Sequence, residues 1–137
     1  MCAVDRHTIE LLELPQIRER LAGMCAFEGG AALARDLAPV ADPRQVAALR
    51  DVTAEAVALW ELAVSGPGGA HDVRDDVDEA LRGTRLEVPA LERMRATCEV
   101  AVEVREALAE QAEVAPILAE EAGRIEAGAL GRIAGLD

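Results

Sequence analysis

An all-α fold, a helical bundle in which short N-terminal helices precede two long amphipathic ones, is what this sequence predicts. Three observations carry that expectation. The chain is 51% hydrophobic but only 1% aromatic, with Phe27 and Trp60 its only rings. A core must therefore come from Leu, Val, Ile and Ala, which together with abundant Glu and Arg favour helix packed on helix. Apolar residues recur at spacings of three and four over most of the length, the period of a helix face. Proline and glycine stand where such runs begin and end, as helix boundaries require.

In chain order, Leu14, Ile17, Leu21 and Met24 make a narrow apolar stripe, which predicts a short helix over 14–25. Gly29 and Gly30 interrupt it, and a second short helix is expected through Ala31, Ala34 and Leu37, stopping before Pro39. Asp42-Pro43-Arg44-Gln45 is the clearest start signal, with a capping acceptor, proline at the first helical position and Gln three residues after the cap. A long helix should fill about 43–64, with Val46, Leu49, Ala56, Trp60 and Ala63 on one face and Val52 and Leu59 widening it. Ser65-Gly66-Pro67-Gly68-Gly69 is expected to end it, so that 66–70 form an internal loop.

Asp72 is placed to cap a short helix through Val73, Val77 and Leu81 that Gly83 closes. A second long helix follows at about 89–110, with Leu91, Met94, Cys98, Ala101 and Leu108 among its apolar positions. Val100, Val102 and Val104 alternate as in a strand, but the surrounding Ala, Glu, Arg and Leu favour helix. Pro116 can open a further helix through Ile117, Leu118, Glu121 and Ile125. Leu130, Ile133 and Leu136, spaced by glycines, read as an incomplete element, and the whole of 1–137 as one helical domain.

Charge bounds the function. The net charge of −12 weighs against direct contact with nucleic acid, whose affinity comes from cations displacing counterions. All 14 basic residues are Arg, a codon bias of high-GC genomes that points to a bacterial source. Cys2, Cys25 and Cys98 are odd in number and have no CxxC spacing, which suggests neither a disulfide framework nor a zinc site. No basic start precedes an apolar run, and no segment reaches the ~20 apolar residues of a membrane span, so the expected location is cytoplasmic.

Candidate chemistry is thin. His7 and His71 are far apart and neither follows a Glu by three residues, as bundle metal sites would have it. Asp75, Asp76, Asp78 and Glu79, and likewise Glu120, Glu121 and Glu126, are expected on solvated faces or near helix starts. His71 reads as an exposed loop histidine, and no nucleophile–base set can be assembled. Trp60 is expected in the core, with a partner anchor as the alternative. Arg18, Arg20, Arg93, Arg95 and Arg105 form a basic patch only if acids such as Glu19, Glu92, Glu103 and Glu106 leave it unneutralised. No catalytic, cofactor-binding or metal-binding residue is assigned.

The order of these signals carries a resemblance. Thr8-Ile9-Glu10-Leu11-Leu12-Glu13-Leu14 precede Ile17, Leu21-Ala22, Gly30 and Leu37-Ala38-Pro39. Then come Glu55-Ala56, Leu59, the glycine loop, His71-Asp72-Val73, Leu81-Arg82-Gly83, Leu86 and Leu91. This resembles the opening of MutS2-type proteins, the branch of the MutS family without the mismatch-reading N-terminal domain. The resemblance implies a non-catalytic segment of the helical core and lever, which joins an ATPase to a DNA-embracing clamp in a DNA repair or recombination-control protein. ATP and Mg would then be held only in an ATPase domain beyond this segment, DNA would be met only by the full-length protein, and the parent would be a homodimer. The chain is expected to be a fragment. It has no lysine and hence no GxxxxGK[ST] phosphate loop, and Phe27 is followed by Glu28 and Gly29 rather than by the Phe-x-Glu of mismatch readers. Two other readings stand beside this one, a free-standing acidic helical module that binds a protein partner and a small all-α metal-dependent enzyme.

Overall fold

A computed structural model describes residues 11–125. Cys2, His7, the segment Thr8-Ile9-Glu10, Glu126 and the element expected around Leu130, Ile133 and Leu136 lie outside the described residues. The fold is all-α. Among the described residues six helices follow one another, α1 (Leu14–Ala22), α2 (Glu28–Arg35), α3 (Pro43–Glu61), α4 (Arg74–Leu81), α5 (Val88–Glu110) and α6 (Pro116–Gly123), and no strand occurs.

Helix α2 begins three residues earlier than expected and takes Gly29 and Gly30 into its first turn. Phe27 explains this. In extended conformation at the N-cap (φ −156°), it lays its ring against Gly29, where a Cβ would lie 2.6 Å from Cε2. The glycines admit the ring and do not break the helix. α1 and α2 pack closely on each other, Ala22 on the one and Ala34 on the other are each 5% exposed, and Arg35 Nε donates to Glu19 between them at 3.0 Å.

Helix α3 opens as its signals require, with Asp42 accepting from the Arg44 amide at 3.0 Å and Pro43 in the first turn. It stops before the glycine loop is reached. Ala63 adopts the left-handed region (φ 53°), its amide reaching Trp60 O and that of Val64 reaching Leu59 O at 3.0 Å. This is a Schellman stop with alanine where glycine is usual. The same stop ends α4 in its ordinary form, with Gly83 (φ 79°) and the Thr84 amide on Glu79 O.

Close backbone approaches join α1 to α2 and bring α6 against both α3 and α5. The short α6 bridges the two long helices. Small residues make that possible, since Ala115 is fully buried and Ala122 is 5% exposed. Burial elsewhere is sparse. Among the described residues Leu59 is the only large aliphatic side chain in the core, which otherwise consists of alanines.

The apolar stripe of α3 is turned the wrong way for a core. At ~100° per residue, Val46, Leu49, Val57 and Trp60 lie within about 80° of one another, and the buried pair Glu55 and Leu59 about 130° away. Trp60, expected in the core, is 84% exposed. The reason lies elsewhere in the chain: Glu55 turns inward to meet α6, and that fixes which face of α3 the remainder of the fold covers.

Candidate functional site

Among the described residues, the hydrogen bonds that join the most distant parts of the chain lie where α3 meets α6. Three N–H groups of the first turn of α6 need partners, because Pro116 has none to offer. The Ile117 amide donates to Glu55 Oε1 at 3.1 Å and the Leu118 amide to Oε2 at 2.9 Å, while the Ala119 amide reaches Ala115 O. Glu55 is 8% exposed. A carboxylate in mid-α3 thus caps a helix more than 60 residues later, where the positive end of the helix dipole favours it. In the sequence Glu55 stands out only as part of an ordered pattern. The one available signal is indirect: Ala115, which precedes α6, supplies no capping side chain, so an acceptor has to come from elsewhere.

A second clasp holds the loop between α3 and α4. Thr97 Oγ1 accepts from the His71 amide at 2.9 Å and itself lies 2.9 Å from Arg93 O, so the loop's backbone is tied to α5. Gly69 (φ 91°) makes the turn there, with room for only ordinary contact against Val100 Cγ2 at 3.6 Å. His71 is half-buried, its backbone serving as the fastening, which differs from the exposed loop histidine expected. One residue on, Asp72 accepts from the Arg74 amide at 3.2 Å and pairs with the Arg74 guanidinium. The side-chain bond from Arg74 is the main reason its carboxyl is held down at about 2, helped by the backbone bond.

A third clasp corrects the reading of the acidic run. Asp76 is 9% exposed, not solvated, and receives Arg93 Nη2 at 2.6 Å and Nε at 3.2 Å. That two-pronged bond fastens α4 to α5 and raises the Arg93 pKa. Arg95 pairs with Glu99 at 2.8 Å along α5, and the Nε atoms of Arg18 and Arg105 are buried without a hydrogen-bond partner among the described residues. The arginines are thus spent singly on separate tasks.

Between α3, α5 and α6 lies an apolar groove of about 360 Å³, walled by Leu59, Trp60, Val64, Val104, Leu108 and Leu118. The Cys98 thiol is pushed up by burial and by the charge of Glu99, which favours its unreactive protonated form. Among the described residues no group of three His, Cys, Asp or Glu side chains is arranged to hold a metal ion, and no helix is long and apolar enough to cross a membrane.

Fold and junction together define a helical segment in which polar clasps, and not a large core, set the angles between elements. Comparison with known proteins places it further. The chain is 39% identical over 98 residues to the Endonuclease MutS2 of Thermomicrobium roseum, a match covering 71% of this chain and 12% of that protein. The Endonuclease MutS2 of Symbiobacterium thermophilum is 36% identical over 85 residues, covering 61% of this chain and 11% of the relative. That of Exiguobacterium sibiricum is 34% identical over 89 residues, covering 64% and 11%. The chain is a MutS2-type region, and it spans about an eighth of the length of the curated relatives it matches. No protein-family profile matches it, and no solved structure does.

Proposed function

We propose that this region is a non-catalytic core and lever element of a MutS2-like protein of DNA repair or recombination control, joining an ATPase domain to a DNA clamp. ATP and Mg are held in that ATPase domain, DNA is met by the full-length protein, and the whole works as a cytoplasmic homodimer. The observation that carries the reading is the seat of α6 between the long helices, fixed by the Glu55 carboxylate on its first turn. A strut of this kind conveys rotation of one long helix to the other without needing a large core. Support comes also from the three MutS2 relatives, each matched over more than half of this chain.

The test is Glu55→Ala in the full-length protein. Stimulation of ATP hydrolysis by DNA should fall at least about fivefold, the lower end of ordinary coupling between sites, with unstimulated hydrolysis kept. Unchanged stimulation would end the lever reading, as would ATP hydrolysis by the isolated chain.

A second reading, an acidic helical module for protein partners, is favoured by one observation: Trp60 stands 84% exposed beside the groove. Capture of a defined partner by the isolated chain that Trp60→Ala abolishes would favour it.

A further inference from the structure

Little holds α6 in its seat. The side chains it buries fully are the methyl groups at Ala115 and Ala122, while Ile117 beside them is exposed. Among the described residues its only hydrogen bonds to another helix are those of the Ile117 and Leu118 amides to Glu55. That attachment is weaker than its geometry suggests. When α6 leaves, both amides and the carboxylate meet water, so the bonds lost are largely replaced and the carboxylate is relieved of its burial.

Yet α6 is what joins the long helices. It lies against both, and no comparable backbone approach links α3 to α5 among the described residues. Nor can it persist apart from its seat. Its 8 residues are too few for a helix to stand alone in water, and Ala115 supplies no side-chain cap to start one. Leaving the seat and unwinding are therefore one event, which gives α6 two discrete states. We propose that α6 is a release catch: seated, it makes α3 and α5 move as one body, and open, it lets them turn separately while the turn at 111–114 keeps it tethered beside them.

The catch is placed to be worked from α3. A rotation of roughly 20° about the axis of α3 moves a carboxylate about 6 Å from that axis by roughly 2 Å, enough to break bonds of 3.1 and 2.9 Å. Opening also takes Leu118 out of the groove wall and leaves Leu59 and Leu108 facing water, which draws the catch shut again. What turns α3 in the parent protein rests on the lever reading; the opening is a property of this chain.

Native-state hydrogen exchange of the 137-residue chain, followed amide by amide in sub-denaturing urea, tests the opening. The amides of α6 should exchange together, at least ~100-fold less protected than those in the middle of α5 and with a weaker dependence on urea. Paired spin labels at Arg50→Cys and Glu103→Cys, both exposed positions, in a chain whose own cysteines are replaced by alanine, test the release. The parent should give a narrow distance distribution. Glu55→Gln, which weakens the cap, and Ala122→Leu, which crowds the seat from its other end, should each widen it at least about twofold, with circular dichroism showing the long helices kept. Protection in α6 equal to that in α5, with equal urea dependence, would make α6 an integral part of the frame and overturn the proposal. So would a distance that stays narrow in both variants, because another contact would then hold α3 to α5. The lever reading is decided separately, by ATP hydrolysis in the full-length protein: a catch that never opens leaves it standing, and unchanged stimulation by DNA ends it with the catch still demonstrated.

Discussion

Replacing Glu55 with alanine removes both acceptors from the first turn of α6. The Ile117 and Leu118 amides, at 3.1 and 2.9 Å from its oxygens, would be left in a site where Glu55 itself is 8% exposed. A hydrogen bond to a charged group contributes about 1.5–3 kcal/mol, and relief from burying the carboxylate returns part of the sum of two, so the expected net loss is about 2–3 kcal/mol. Glu55→Gln keeps the length and one carbonyl acceptor but turns an NH2 toward the second amide, for an expected loss of about 1–1.5 kcal/mol. Urea unfolding followed at the helical band measures both. Hydrogen exchange gives a local readout, since protection at Ile117 and Leu118 should fall in the alanine variant before it falls in α5. A Glu55→Ala protein within about 0.5 kcal/mol of the parent, with those amides still protected, would refute the capping argument.

Three further outcomes follow from the junctions. Ala63→Gly should stabilise the chain by about 0.5–1 kcal/mol in thermal or urea unfolding, because glycine relieves the left-handed strain at φ 53°. A double-mutant cycle of Asp76→Ala with Arg93→Ala should return a favourable coupling in urea unfolding, and a value indistinguishable from zero would make the α4–α5 clasp incidental. Asp72, held at about 2 against an ordinary 3.8, contributes stability fully above the higher value and loses it as pH falls through the lower. An NMR titration of its carboxyl carbon should show that midpoint, moving up toward 3.8 in Arg74→Ala.

Much of the fold could be read from local rules. Pro43 with Asp42, Pro116, Gly83 and the apolar spacing placed the helices to within a few residues, because each boundary is set by its own turn. The misses have a common cause. Which face of a helix is buried depends on what arrives from elsewhere, and the apolar stripe of α3 gave no hint that Glu55, on the opposite side, would be drawn inward by the amides of α6. Asp76 was misjudged for the same reason, as its partner Arg93 comes from another helix. Gly29 and Gly30 looked like a break because only the ring of Phe27 gives them a place in a helix. The junction was thus nearly invisible in the sequence, since it is built from single acids answering donors remote along the chain.

The seams of this protein reverse the usual map of harmful change. Where Leu and Phe fill a core, the injurious substitutions are those that delete methyl groups and leave a hole. Here Ala22, Ala34, Ala115 and Ala122 occupy the places of contact, so little remains to delete, and the injury comes from bulk. One added isopropyl at Ala115 would push α6 off both long helices, while most of the apolar surface could drift among residues of any size. Inherited variation in this segment should accordingly be wide on its outer faces and nearly frozen at four of its smallest side chains.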